Sequence, residues 1–205
     1  MIGSVSQTSG ASALPEPDNI AAWRTAERKR LLQARLELPA DDRDDLTLGI
    51  ARLLEGLIGD PAGLVISAYW PFRGEPDLKP MLKRLRDRGA VIALPVVVKK
   101  AEPLIFRAWK SGDKLARGVW NIPFPAEGPE VVPDIAIAPV VGLDRACFRL
   151  GYGGGFFDRT MAALTRKPRL YGVGYSQQEI PTIYPQAHDI PMLAVVTEAE
   201  VVDSN

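Results

Sequence analysis

The chain has 205 residues, 46% of them hydrophobic and 24% charged, and its 25 basic and 25 acidic side chains cancel to zero net charge. That composition suits one globular α/β domain with a full core, or two small domains, and offers no electrostatic case for binding nucleic acid or an anionic membrane. A single cysteine, Cys147, and a single histidine, His188, exclude an internal disulfide, a cysteine-based zinc cluster and any multi-histidine metal site.

Residues 1–17, rich in Ser, Gly, Ala and Pro, are expected to form a flexible tail ahead of a single domain over 18–205. No basic n-region or h-region opens the chain, and no apolar run approaches the ~20 residues of a membrane span, so the expected address is cytoplasmic. Asp18 or Asn19 caps a predicted first helix that runs to about Leu38. Arg24 and Arg28 lie four apart on one face of it. By themselves they read as solvated charges.

Pro39, Asp41 and Asp42 open a second helix, with Leu46, Ile50, Leu53, Leu54 and Leu57 as its apolar stripe. Residues 64–70, β-branched and aromatic, predict a buried strand. It exits into a loop carrying Glu75, at the edge where ligands collect in open α/β sheets. Glu75 is therefore either a site carboxylate or a helix N-terminal one. A third helix is predicted over 77–88 and a strand over 91–98 that ends or bulges at Pro95. A further strand spans 104–109, and residues 113–125 look irregular, punctuated by Gly118, Pro123 and Pro125. Strands at 134–141, 170–175 and 193–197 complete an α/β pattern with a largely parallel sheet.

Between the first two of these lies Arg149-Leu-Gly-Tyr-Gly-Gly-Gly-Phe-Phe-Asp158-Arg159, four of whose glycines fall within five positions. Glycine lets backbone approach a ligand closely, and successive exposed N–H groups ahead of a helix N-terminus make an anion nest. Arg149 and Arg159 can complete a phosphate cradle, and Asp158 can hold the divalent ion of a polyphosphate. A tight structural loop is the alternative. The stretch matches neither a dinucleotide fingerprint, since Phe156 stands where the third glycine belongs, nor a Walker A loop, since no lysine follows a glycine.

From about Ala21 to Val201 the chain resembles the 5-formyltetrahydrofolate cyclo-ligases, also called 5,10-methenyltetrahydrofolate synthetases. Residues 139–159 are similar to the family pattern of an apolar strand, an aspartate, then Arg-x-Gly-x-Gly-x-Gly-Tyr-Tyr-Asp, with Arg149, Gly151, Gly153, Gly155 and Asp158 in register. The basic pair Arg24 and Arg28, the strand leading to Glu75, the Leu94-Pro95 strand end, Trp120-Asn-Ile-Pro123 and the late His188-Asp189 follow in the family's order.

The resemblance implies a mostly parallel open sheet flanked by helices, of the sugar-phosphate isomerase or CoA-transferase-like type. It implies ATP as co-substrate and magnesium as cofactor, with 5-formyltetrahydrofolate closed to 5,10-methenyltetrahydrofolate and ADP and phosphate released. Nucleic acid and membrane are not implied partners, and either a monomer or a dimer is compatible. On this reading ATP is bound by Arg24, Arg28, Arg149, Leu150, Gly151, Tyr152, Gly153, Gly154, Gly155, Phe156 and Phe157. Folate is bound by Trp70, Glu75 and the loop from Tyr152 to Phe156, and magnesium by Asp158 and Asp189. Arg149 and Phe156 are the expected catalytic contacts. His188 is expected at the surface, and Cys147 as a buried or loop thiol.

Several departures from the family bear on the second substrate. Arg24 replaces a usual lysine, Phe156 and Phe157 replace a Tyr-Tyr pair, Cys147 a glycine, and Phe124 a frequent glutamate. They keep two alternatives open: a paralogue on the same scaffold with another substrate, and a non-catalytic folate- or nucleotide-binding protein.

Overall fold

A computed structural model describes residues 15–203, so most of the predicted N-terminal tail, up to residue 14, lies outside the described residues. Asn19 caps α1 (Ile20–Glu37), its side-chain oxygen accepting from the Ala22 amide at 2.9 Å. Asp41 and Asp42 favour the N-terminal end of the helix dipole in α2 (Ala40–Ile58), and Gly59 at φ 75° stops it. The chain continues through β1 (Val65–Ser67), α3 (Lys79–Asp87), β2 (Val91–Val96) and β3 (Ile105–Ala108). Next come a ribbon of β4 (Leu115–Arg117) and β5 (Pro123–Pro125), then β6 (Ile135–Pro139) and a hairpin of β7 (Gly142–Leu143) and β8 (Arg149–Leu150). The last elements are α4 (Phe156–Ala163), β9 (Arg169–Val173), β10 (Ala194–Val196) and β11 (Val201–Asp203).

The main sheet runs β11-β10-β9-β6-β1-β2-β3. Its five central strands are parallel, and β3 and β11 close the edges antiparallel. The sheet has two buried faces, and alternate residues divide between them as the period of a strand requires. Ile135, Ile137, Tyr171, Val173 and Ala194 pack with Ile50, Leu54, Met81 and Leu85 of α2 and α3. Ala136, Ala138, Leu170 and Val195 face the other way, toward Met161 of α4. From β1 the chain steps to β2 on one side, and β6 then pairs on the other side of β1. The loops leaving β1 and β6 diverge there, which is the switch point that opens a crevice in such sheets.

Three sequence expectations change. Residues 113–125 are not irregular but form the β4–β5 ribbon, paired Leu115 to Pro125 and Arg117 to Pro123. Its reversal depends on Trp120 at φ 54° and Asn121 at φ 61°, left-handed positions that no glycine marks. The second strand neither ends nor bulges at Pro95 but continues to Val96. Pairing with β1 stops at Ala93, so the missing proline N–H falls beyond the parallel ladder. The β7–β8 hairpin and β11, two and three residues per strand, are too short to show a period in the sequence. The hairpin turn is held by Asp144, whose buried carboxylate accepts from the amides of Ala146, Phe148 and Ile183 at 3.1, 3.0 and 2.9 Å. Within it Cys147 has φ 61°, a glycine-like conformation at a position where the resemblance leads one to expect glycine.

A third apolar cluster fastens α1 across this end of the sheet: Leu31 packs with Val141, Leu150, Ile180 and Ile183. Leu31 is 1% exposed. Leu31→Ala is expected to lower unfolding free energy by about 2–5 kcal/mol through lost transfer energy and a residual cavity. Urea unfolding checks this, and a loss below about 0.5 kcal/mol would mean that α1 is not held there.

Candidate active site

The crevice at the switch point is a cleft enclosing about 1040 Å³ of empty space, its open mouth included. The loop after β1 supplies Tyr69, Trp70, Phe72 and Glu75, β2 ends at it through Leu94 and Pro95, and the β4–β5 ribbon contributes Trp120 and Phe124. Opposite stand Arg149 on β8, the glycine-rich loop, and Phe156, Phe157 and Asp158 on the first turn of α4. One end of the cleft is apolar and aromatic. The other carries charge and the N-terminus of α4.

At the charged end, the loop geometry requires glycine. Gly153 has φ 89°, and the guanidinium of Arg28 sits over it, 3.7 Å from where a Cβ would lie. Gly155 caps α4 at φ 62°, where a Cβ would come within 2.7 Å of Arg159. Arg149 is 7% exposed and donates through Nη2 to Asp158 Oδ1 at 3.1 Å. Its Nη1 is buried with no hydrogen-bond partner. Burial pushes the Arg149 guanidinium down from its ordinary value, and Asp158 and then Asp189 oppose that shift. A buried donor with no acceptor is costly, and an anion in the cleft would supply the missing acceptor.

The segments of the two aspartates expected at the site are joined here. Asp158 Oδ1 also accepts from the Ile190 amide at 3.3 Å, which brings Asp158 beside the segment of Asp189. Asp189 is bound by Arg24 Nη2 at 2.5 Å and by the Gln186 amide at 2.7 Å. Burial is the largest influence on the Asp189 carboxyl and pushes it up, but the Arg24 and Gln186 hydrogen bonds and the Arg24 charge hold it below the usual range. Arg24 also donates to the carbonyls of Ile183 and Tyr184, at 3.1 and 2.8 Å. With Nη1 donating to Asp189 Oδ1 at 3.3 Å, each of its three guanidinium nitrogens has a partner within the protein. Arg28 donates from Nε to the Gly151 carbonyl at 2.8 Å. Burial, then the Arg24 charge, lowers it from its ordinary value.

Among the described residues no three His, Cys, Asp or Glu side chains group to hold a metal unaided. Asp158 beside the glycine-rich loop nevertheless fits magnesium, which takes one or two carboxylates and completes its shell with phosphate oxygens and water.

At the aromatic end, Trp70 meets Trp109 edge to face at 5.9 Å and carries Lys79 Nζ 4.9 Å from its ring centre. Phe72 stacks parallel to Trp120 at 6.1 Å, and Tyr152 leans against both, at 5.8 and 5.5 Å. Phe156 lies under Arg159 at 5.4 Å, and Phe157 under Arg149 at 5.6 Å. Glu75 is buried at the junction of the two ends. Its Oε1 accepts from the Tyr152 hydroxyl at 2.8 Å and its Oε2 from the Phe72 amide at 2.9 Å. Burial pushes this carboxyl up to about 7, against the charge of Arg35 and the bonds from Tyr152 and Phe72.

Ten of the fifteen residues expected at the site line this cleft; Arg24, Arg28, Gly153 and Asp189 lie at its α1 border, with Arg24 and Asp189 already engaged with each other, and Leu150 instead packs in the apolar cluster under α1. Sequence reasoning missed Arg35, Phe72 and Trp120. Arg35 follows Arg24, Arg28 and Leu31 at steps of four, three and four, the spacing of one helix face, which is the signal that could have found it. Cys147 is buried and His188 exposed, as expected.

The model of the 5-formyltetrahydrofolate cyclo-ligase family matches residues 20–198. The chain belongs to the 5-formyltetrahydrofolate cyclo-ligase family. It is accordingly an ATP-dependent ligase. A 5-formyltetrahydrofolate cyclo-ligase of Mycolicibacterium smegmatis is 29% identical over 178 residues, 83% of this chain and 91% of the relative. Another, from Escherichia coli K12, is 31% identical over 143 residues, 66% and 79% of the two chains. The solution structure of Aquifex aeolicus 5,10-methenyltetrahydrofolate synthetase superposes with a TM-score of 0.77 at 28% identity, covering 89% of this chain and 93% of that one.

The Glu75 environment gives a stability prediction. Its folded value of about 7 stands above the ordinary 4.5, so the folded state holds a proton that the unfolded chain releases between those values. The contribution is fully present below about pH 4.5 and is lost as pH rises through about 7, on the order of 3 kcal/mol in all. Glu75→Gln removes this dependence. Chemical denaturation from about pH 5 to 8 should show wild type losing stability relative to Glu75→Gln as pH rises; parallel curves would contradict it.

Proposed function

We propose that the protein uses ATP and magnesium to cyclise 5-formyltetrahydrofolate to 5,10-methenyltetrahydrofolate, through phosphorylation of the formyl oxygen. The observation that carries this reading is the joining, in one cleft, of an aromatic compartment and a glycine-rich anion cradle whose Arg149 Nη1 lacks an acceptor.

A formamide oxygen is a poor leaving group. Transfer of the γ-phosphoryl group of ATP to it forms an O–P bond and releases ADP. The second folate nitrogen then attacks the formyl carbon, its proton is lost, and the carbon–oxygen bond breaks with phosphate departing. Positioning and charge neutralisation dominate such phosphoryl transfer. The backbone N–H groups of the loop from Gly151 to Phe157 would hold the phosphates with Arg149, and Arg28 would border them from α1. Asp158, with Asp189 beside it, would hold magnesium, which when bound neutralises phosphate charge. Arg24 and Asp189 satisfy each other, so they would take part by exchanging that ion pair for contacts to the nucleotide and metal. Trp70 would pack against the pterin, Glu75 would hydrogen-bond it, and Phe156 would lie beside the formyl group. The cytoplasm, where both substrates occur, is the address consistent with this reaction.

A second reading, a paralogue acting on another substrate, is favoured by one feature: Phe156 and Phe157 offer no hydroxyl to a ligand. Purified protein with 5-formyltetrahydrofolate, ATP and magnesium should produce the methenyl absorbance. Absence of turnover with ATP binding retained would select the paralogue. Asp158→Ala should abolish ATP-dependent turnover, and Arg149→Ala should lower kcat by about 100-fold or more. Unchanged rates would overturn those two assignments. Phe156→Tyr should leave activity equal or higher, and a large loss would mean that the pocket is built around the phenyl ring.

A further inference from the structure

Arg35 is the most deeply buried charge in α1, at 0% exposure, and lies outside the cleft's lining. Its guanidinium ties together three segments that converge on the switch point. Nε donates to the Arg73 carbonyl at 2.9 Å, Nη1 to the Val140 carbonyl at 3.1 Å and Nη2 to the Tyr152 hydroxyl at 2.5 Å. We propose that Arg35 is a positioning residue that acts through the Tyr152 hydroxyl to fix the orientation and charge of Glu75 in the wall of the substrate cleft, an assignment that rests on the folate reading of that cleft.

The hydrogen-bond chemistry allows only one direction along this chain. A guanidinium has donors and no acceptor, so the Tyr152 oxygen must accept from Arg35 and its one proton must go elsewhere. Two acceptors are in reach, the Phe72 carbonyl at 3.4 Å and Glu75 Oε1 at 2.8 Å. The shorter contact takes the proton. Burial, first, and the Glu75 charge both push the Tyr152 hydroxyl up, so it stays a donor throughout the working pH range. Glu75 consequently accepts at both oxygens, from Tyr152 and from the Phe72 amide, and both bonds favour its ionised form.

Arg35 supplies the charge behind this arrangement, with Nη2 3.9 Å from Glu75 Oε1. Burial opposes ionisation. The ionisable groups acting on the pair are Arg35 from α1, Tyr152 from the glycine-rich loop and Tyr69 from the end of β1, while Arg73 turns out over the Phe72 ring at 5.0 Å. The carboxyl is thereby poised between its two forms, and its charge decides whether it accepts a substrate hydrogen bond or donates one. A folate ring presents both kinds of partner, so the choice bears on recognition as well as rate.

The test titrates the Glu75 carboxyl by carbon NMR in the ligand-free protein, its signal identified as the one missing from Glu75→Gln. Tyr152→Phe keeps the buried cation and removes only the hydroxyl bridge. It should raise the midpoint by about half a pH unit or more, and the Glu75-dependent limb of the kcat/KM profile should move with it. Arg35→Lys keeps the charge without the three-pronged geometry and should also raise the midpoint. Because the two residues act in series, the double variant should shift no further than the larger single shift. An unmoved midpoint in Tyr152→Phe, additive shifts in the double variant, or a moved midpoint with an unchanged kcat/KM profile would overturn the proposal. So would a loss of thermal stability alone. The titration needs neither folate nor ATP, so absence of cyclo-ligase turnover would refute the proposed reaction separately from the coupling among Arg35, Tyr152 and Glu75.

Discussion

Burying guanidinium groups is the constraint on which this end of the molecule depends. Each brings a charge and a fork of donors out of water, and the cost is tolerable only if nearly every donor finds an acceptor. Arg24 and Arg35 of α1 meet that condition on the carbonyls of residues 183, 184, 73 and 140, on the Tyr152 hydroxyl and on Asp189. Arg28 adds the carbonyl of Gly151. These acceptors belong to loops that leave different strands. The helix therefore holds the loops at the ligand edge of the sheet in one arrangement, while Leu31 on the same face supplies the apolar contact that docks it.

The same accounting separates arginines whose donors are all matched from those with a buried donor left over, Arg149 and Arg159 among the described residues. Arg24 and Arg35 have their donors matched inside the protein. Arg149 does not: one arm is paired with Asp158 and the other is buried without an acceptor. It stands beside backbone that only glycine can easily adopt and beside the first turn of α4, so three independent features favour negative charge at one spot. This unmatched donor marks the half of the cleft proposed for phosphate. The other half, proposed for folate, carries aromatic surface and one poised carboxyl.

Tyr152 links the two halves. Its backbone lies in the glycine-rich loop, its ring packs on Phe72 and Trp120, and its hydroxyl joins Arg35 to Glu75. Any shift of the loop on binding phosphate would be felt at Glu75 through a single side chain. The neighbouring Phe156 lacks a hydroxyl, which leaves Tyr152 as the loop's only phenolic group in the cleft.

The sequence by itself determined the α/β class, the order of the principal strands and helices, and the glycine-rich loop that lines the cleft. Those features are local: strand and helix periods, the Asn19 cap, and glycines at fixed spacing between Arg149 and Asp158. The tertiary structure alone decided which charges face inward. Arg24 reads as a solvated helix charge until Asp189, 165 residues away, closes on it. The spacing puts Arg35 on the helix face of Leu31, but its complete burial could not be read locally, because its acceptors come from residues 73, 140 and 152. The turn at Trp120 and Asn121 was hidden for a related reason, since left-handed backbone without glycine is selected by its surroundings, here the stacking of Trp120 on Phe72. The poise of Glu75 belongs with these, because a carboxyl's charge is set by burial and by partners on other elements and not by its neighbours in the chain.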